Sequence, residues 1–404
     1  MLRVNIVGIG PGNPELLTES AHQAIEESNI LIGDKRMLKL FVAEGKSIHY
    51  TIKFADIMDI ITAANPEKDE LAVLVSGDIG FFSLAKILTN KLTDCECMHY
   101  CGISSLVYFA AKLKMPWDDV KLVSMHGRNQ NLVSAVAQNR KVFCLTGGDN
   151  SPQALCAKLC SYDMGHVKVY VGENLSYPEE KITVGTAAEI SKGNYSSLSV
   201  MMILNEAANN FEQSVHGLDD EMFVRGKAPM TKQEVRSVAI SKLRPKVADC
   251  IFDIGAGTGS CSVELALIAK QGNVLAFEKN AEALQLLKEN KERFGLDNIE
   301  IVAGDAMENI RDKSAPDCVF IGGSGGTICK MLDIIYAKNL ACRIVITAIT
   351  LETLAEVTAY YKDNSSYNLE IVNISAARSR KHGRYNLMMA QNPVYIMTAV
   401  KKED

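Results

Sequence analysis

No stretch of this chain approaches the ~20 consecutive apolar residues that a membrane-spanning helix needs, so a helical membrane protein is not expected. An excess of positive charge is missing as well. Lys and Arg number 43 against 48 Asp and Glu, a formal charge of −5. Bulk attraction to nucleic acid or to an anionic membrane is therefore excluded, and any basic site must be local. Paired C-x-x-C spacing is absent although there are 11 cysteines. Cys95, Cys97 and Cys101 lie in a strand-like run, and Cys156 and Cys160 are one helical turn apart. Neither arrangement is that of a structural zinc site, so reduced, buried thiols and no metal are expected. Residues 1–9 run straight into a strand, without the charged, apolar and small-residue regions of a secretory signal, and a cytoplasmic protein is the expectation. What is present is 404 residues with 47% apolar content, enough for two or three domains with substantial cores.

The most informative stretch is Asp253-Ile254-Gly255-Ala256-Gly257-Thr258-Gly259-Ser260. Residues 248–252 before it read as a buried strand, and 261–270 after it carry apolar residues at helical spacing. Strand, glycine turn and helix make a nucleotide-binding element, because glycines let the backbone approach a ligand and the helix start offers unpaired N–H groups. The next strand, 273–277, leads into Glu278, 19 residues past Gly259. An acid there can accept hydrogen bonds from both ribose hydroxyls. The spacing is G-x-G-x-G, not the dinucleotide G-x-G-x-x-G, and Asp253 would repel a pyrophosphate but attract a sulfonium or ammonium group. S-adenosyl-L-methionine fits both features, with Asp253, Gly255, Ala256, Gly257, Thr258, Gly259 and Glu278 as its candidate binding residues. Gly304-Asp305-Ala306, after a strand at 299–303, adds Asp305 and Ala306.

The first half has its own organisation. A strand at 2–9 ends in Gly8-Ile9-Gly10-Pro11-Gly12-Asn13-Pro14, whose prolines forbid a helix opening on the glycines; the helix begins at Thr18. Strands follow at 29–32 and 71–75, the latter ending in Ser76-Gly77-Asp78. Residues 97–100 lead to Gly102-Ile103-Ser104-Ser105 and a helix at 106–113, which Ser104 or Ser105 can simply cap. A final strand is read at 198–204. Residues 206–217 are polar and lose apolar periodicity, which separates domains at 1–205 and 218–404.

In the second half Thr231 and Glu234 have the spacing of a capping box, while Arg225, Lys227, Lys232 and Arg236 gather ahead of the glycine-rich strand. Phe320-Ile321 ends in the loop Gly322 to Gly326, a fifth strand lies at 344–347, and strands at 369–375 and 394–400 pair as a closing hairpin. Between them Arg378-Ser379-Arg380-Lys381-His382-Gly383-Arg384-Tyr385 is either a solvated loop or a clamp for several carboxylates, which the arginine fork suits.

Gly8-Ile9-Gly10-Pro11-Gly12, Ser76-Gly77-Asp78, Gly102-Ile103-Ser104-Ser105 and Thr146-Gly147-Gly148, in that order, resemble the tetrapyrrole methylases of corrin and sirohaem synthesis. Met115-Pro116-Trp117-Asp118-Asp119 before His126-Gly127-Arg128, and the run Val171 to Glu180, resemble the branch acting late on the ring. Met230-Thr231-Lys232-x-Glu234-Val235-Arg236, Asp253 to Gly259, Gly304-Asp305-Ala306, Phe320 to Gly326 and Asn392-Pro393-Val394 resemble the decarboxylating precorrin methylases. Side by side, the halves resemble the family of fused precorrin-6Y methyltransferases.

That resemblance implies an α/β protein. The first domain would have the tetrapyrrole-methylase fold of two α/β subdomains, and the second a Rossmann-like methyltransferase fold with a seven-stranded sheet. It implies methylation at carbon 5 by the first domain, and methylation at carbon 15 with loss of the ring-C acetate carboxyl by the second. S-adenosyl-L-methionine would be the donor and S-adenosylhomocysteine the product. Gly8, Gly10, Pro11, Gly12, Asp78, Ser104, Ser105 and Gly147 would serve the first donor site, and Thr231 would join the second. Arg225, Lys227, Arg378, Arg380 and Arg384 are candidates for holding the peripheral acids, with His126 and Arg128 doing so in the first cleft. No general base is assigned, since an enamine-like ring carbon can attack the methyl group once held about 3–3.5 Å away. The partner is a small tetrapyrrole, with or without cobalt, and a homo-oligomer, dimer or tetramer, is expected. The competing readings are methyl transfer to another substrate, including nucleic acid, an NAD-dependent oxidoreductase, and a non-catalytic donor sensor.

Overall fold

The computed structural model describes residues 1–39, 41, 45–126, 130–208, 216–323 and 325–402. Two compact units divide the chain: residues 1–129 with 141–206, and 130–140 with 207–404.

The first unit holds two five-stranded sheets. One is all parallel and runs Ser47–Tyr50, Ile30–Gly33, Glu70–Val75, Leu2–Gly8, Cys95–Tyr100. Its inner strands are continuous apolar runs because helices cover both faces; every residue of Leu2–Gly8 but one is buried. The edge strand Ser47–Tyr50 was not expected, because its sequence SIHY is short, polar and half-exposed. The helix begins one residue later than the sequence suggests, at Glu19: Thr18 caps Glu19–Glu27 by accepting from Ala21 N at 3.2 Å. The second sheet runs Lys121–Ser124, Lys141–Leu145, Ser199–Leu204, Lys168–Glu173, Lys181–Thr186, parallel only in its first pair.

The second unit is built on the seven-stranded sheet Ile299–Ala303, Asn273–Glu278, Cys250–Ile254, Cys318–Ile321, Arg343–Ala348, Val394–Lys401, Tyr367–Ile374. The first five strands are parallel, and Val394–Lys401 runs antiparallel to both of its neighbours. Strand order reverses between Cys250–Ile254 and Cys318–Ile321, which opens a crevice beyond their carboxyl ends. The basic run is neither a loose loop nor part of that sheet. Ala377–His382 and Tyr385–Ala390 form a separate antiparallel hairpin, turning at Gly383 with φ +60°.

The cluster of cations before the glycine-rich strand has a structural explanation in part. Arg236 is completely buried; its Nε donates to Glu264 at 2.6 Å and its Nη1 reaches Asp220 at 3.2 Å. Glu264, equally buried, also accepts from the backbone N–H groups of Gly217 and Leu218. The pair therefore pins the start of the second unit to the helix Ser260–Ile268. The capping box is a correction: Lys232 is the N-cap of Gln233–Leu243, without a side-chain cap, and the Glu234 carboxylate instead receives both Nε and Nη2 of Arg378. A bidentate guanidinium is a stronger partner than one backbone N–H.

Candidate active sites

Among the described residues, each unit has a large cavity at strand ends. The cavity of the second unit, of about 690 Å3, lies over the crevice just described. Its floor is the glycine turn. Gly255 (φ +72°) is where backbone approach is tightest: a Cβ there would meet Gly323 N at 2.8 Å and Gly323 O at 2.9 Å. Only glycine lets this turn and the loop after Cys318–Ile321 touch. Gly257 N donates to Glu278 Oε2 at 2.8 Å, and Glu278 Oε1 accepts from the N–H of Lys279 and of Asn280. Glu278 thus braces the turn while lining the cavity, where an oxygen with spare acceptor capacity faces any ligand diol. Asp305 caps the short helix Ala306–Asn309 and pairs with Lys279 at 3.6 Å. Small residues, backbone donors and two carboxylates fit a cationic, ribose-bearing donor better than a pyrophosphate.

The cavity of the first unit, of about 540 Å3, is lined by Gly77, where three backbones come into contact. A Cβ on Gly102 would meet Gly77 O at 2.4 Å and Gly8 O at 2.5 Å. Asp78 locks that corner, with Oδ1 accepting from Gly80 N at 2.8 Å and Oδ2 from Gly102 N at 3.1 Å. Gly10 and Gly77 exchange backbone hydrogen bonds at 2.9 and 3.1 Å. Ser104 is the helix cap, accepting from Val107 N, while Ser105 lines the cavity with His126 and Thr146.

Two family models match this chain: tetrapyrrole (corrin/porphyrin) methylases over residues 3–191, and the precorrin methyltransferase domain over 221–401. A probable cobalt-precorrin-6B C(15)-methyltransferase (decarboxylating) of Pyrobaculum calidifontis is 42% identical over 187 residues, covering 45% of this chain and 95% of that one. The chain belongs to the decarboxylating precorrin methyltransferase family. A cobalt-precorrin-6B C(15)-methyltransferase of Salmonella typhimurium is 36% identical over 189 residues, 46% of this chain and 97% of its own. A precorrin-6Y C(5,15)-methyltransferase (decarboxylating) of a Sinorhizobium species is 28% identical over 354 residues, 86% of this chain and 84% of its own. That last alignment spans both halves, so the fused architecture is shared.

In this precorrin methyltransferase the sequence-derived residues fall into three groups. Thr231, Gly255, Ala256, Gly257, Glu278, Asp305 and Ala306 line the second cavity, and Pro11, Ser105 and His126 line the first. A second group acts from behind the wall: Gly8, Gly10, Gly12, Asp78, Ser104, Gly147, Thr258 and Gly259 are absent from the linings. Gly147 lies under the His126 ring, where a Cβ would meet Nδ1 at 2.1 Å, and Gly259 (φ +80°) starts the helix against Leu287. Asp253 belongs here too. Its side chain is fully buried; the Ser262 hydroxyl donates to Oδ2, and Oδ1 has no hydrogen-bond partner among the described residues. Full burial pushes its carboxyl up to about 7. The third group consists of basic residues off both cavities. Arg378 is held by Glu234 and by Asp220 at 3.0 Å; Arg225 pairs with Glu221 at 4.0 Å; Arg384 stacks on Tyr385; Lys227 and Arg380 are exposed. Arg128 lies outside the described residues. Sequence reasoning missed Lys279, Thr347, Ile349 and Gln391, which reach the second cavity from strand ends with no motif of their own.

Proposed function

We propose that the chain carries two S-adenosyl-L-methionine-dependent sites serving one precorrin-6-type tetrapyrrole in corrin (cobalamin) synthesis, in the cytoplasm. The first unit methylates carbon 5. The second methylates carbon 15 and removes the ring-C acetate carboxyl as carbon dioxide. One observation carries the reading: each unit has its own large cavity at strand ends, and each is matched by its own methylase family model.

The donor supplies an electrophilic methyl group on sulfur. What the protein contributes is position and dryness. In the second unit the Gly255–Gly257 turn and the Glu278 and Asp305 carboxylates would hold the donor, with Lys232 and Lys279 at the wall to receive substrate acids. A ring carbon held in line needs no protein base, and the electrons of the broken C–C bond pass into the conjugated ring. In the first unit Ser105, His126 and Thr146 would face donor and ring. The exposed apolar residues of the 377–390 hairpin, Tyr385, Leu387, Met388 and Met389, support a homo-oligomer that covers them; light scattering of the purified chain tests this, and a monomer would remove it.

Mass spectrometry of products from metal-free and cobalt-loaded substrate tests the function, the expected product having gained two methyl groups and lost carbon dioxide. Glu278→Ala should then delete methylation at carbon 15 and decarboxylation but leave carbon 5 methylated. Loss of all three events would contradict two independent sites.

A further inference from the structure

The lining of the first unit's cavity mixes small polar residues, Ser105, Thr146 and Ser199, with Arg36, Ile52 and Phe82. Arg36 is exposed on the short helix Lys35–Leu38, which follows the strand Ile30–Gly33. The Asp34 carboxylate beside it is turned to the helix backbone, accepting from Arg36 N at 2.8 Å. The guanidinium instead stands over the Tyr177 ring, 5.5 Å from its centroid. Among the described residues no carboxylate pairs with it.

Tyr177 is packed against a second loop. Its ring lies on Gly12, where a Cβ would meet Cζ at 2.2 Å, and its N–H donates to Asn174 O at 3.0 Å. The neighbouring Ser176 hydroxyl accepts from Asn13 N at 3.1 Å, tying the two loops together. A guanidinium in cation–π contact with a ring face spends none of its N–H donors on a carboxylate there, and its fork is left for one. Beside it the surface is apolar: Ile52 is 60% exposed, and Phe82 is 40% exposed at φ +50°, a conformation rare for a bulky residue.

We propose that Arg36, held over the Tyr177 ring, binds a peripheral carboxylate of the substrate macrocycle in the first unit, with Phe82 and Ile52 covering part of the ring face. This rests on the reading that the first unit methylates a tetrapyrrole. The methyl donor also carries a carboxylate, but the adjoining exposed apolar surface suits a flat ring rather than the polar amino-acid end of the donor.

The test is steady-state kinetics of first-unit methylation by the full chain, varying tetrapyrrole and S-adenosyl-L-methionine in turn. Arg36→Ala should raise KM for the tetrapyrrole by about tenfold or more, the scale of a lost charge-assisted hydrogen bond. KM for the donor should stay within about twofold and kcat should be nearly kept. Arg36→Glu should be worse and Arg36→Lys should recover part of the loss. Because Arg36 is exposed, unchanged thermal unfolding of the variants is expected. An unchanged tetrapyrrole KM in Arg36→Ala, or a change confined to the donor KM, overturns the proposal. A wild-type chain that leaves the first position unmethylated would instead overturn the functional reading beneath it.

Discussion

Asp253 offers the sharpest physical test. It is 0% exposed, with one hydroxyl donor on Oδ2 and, among the described residues, none on Oδ1, and burial raises its carboxyl from 3.8 to about 7. Below pH ~4 both folded and unfolded states hold the proton, and the group contributes nothing. Between pH ~4 and 7 the unfolded chain ionises while the folded chain keeps its proton, so stability falls as pH rises. Above 7 the full cost is present. The gap of about three pH units corresponds to about 4 kcal/mol at most, at about 1.4 kcal/mol per unit. Asp253→Asn keeps the shape and removes the titration. For a unit of this size the advantage of the variant should grow by about 3–5 °C in Tm per pH unit from pH 5 to 7, then level off. Calorimetric melting of both proteins across pH 5 to 9 reads this directly. A difference that does not vary with pH, or one that shrinks as pH rises, would refute a buried protonated carboxyl beneath the donor turn.

Other predictions rest on separate contacts. Arg236→Met leaves the buried Glu264 carboxylate without its guanidinium, Asp220 keeping that of Arg378, and should cost about 3–5 kcal/mol in denaturant unfolding, with Glu264→Gln recovering part of it. Gly102→Ala places a methyl group against two backbone oxygens and should cost about 3 kcal/mol, together with first-unit methylation, while second-unit methylation persists. Burial pushes the Cys144, Cys156 and Cys342 thiols up to about 12, so timed alkylation followed by peptide mapping should label exposed Cys101 well before these three.

How far the sequence could be read depended on the range of the interaction. The glycine turn at Gly255–Gly257 was legible because its backbone conformation allows almost no other residue, and that constraint is local. The strand Cys250–Ile254 and its neighbours were legible as apolar runs between turns. Ser47–Tyr50 was not, since an edge strand with polar residues lacks that signature. Arg236 could be seen as basic but not as buried, because Glu264 and Asp220, which neutralise it, come from other elements. Glu234 had the spacing of a cap, yet Arg378 from the distant hairpin takes its carboxylate. Asp253 shows the same limit within one strand: its charge suited a sulfonium, but the burial that lifts its proton affinity is set by the helix Ser260–Ile268 packed over it. Arg36 and Tyr177 carry no shared motif, and only the folded first unit brings the guanidinium over the ring.

The central claim is that one chain holds two separate pockets for the same donor. Isothermal titration of the full-length protein with S-adenosylhomocysteine measures it most directly. Two molecules bound per chain, reduced to one by Glu278→Ala, is the predicted result. A stoichiometry of one for the unaltered chain would contradict the account.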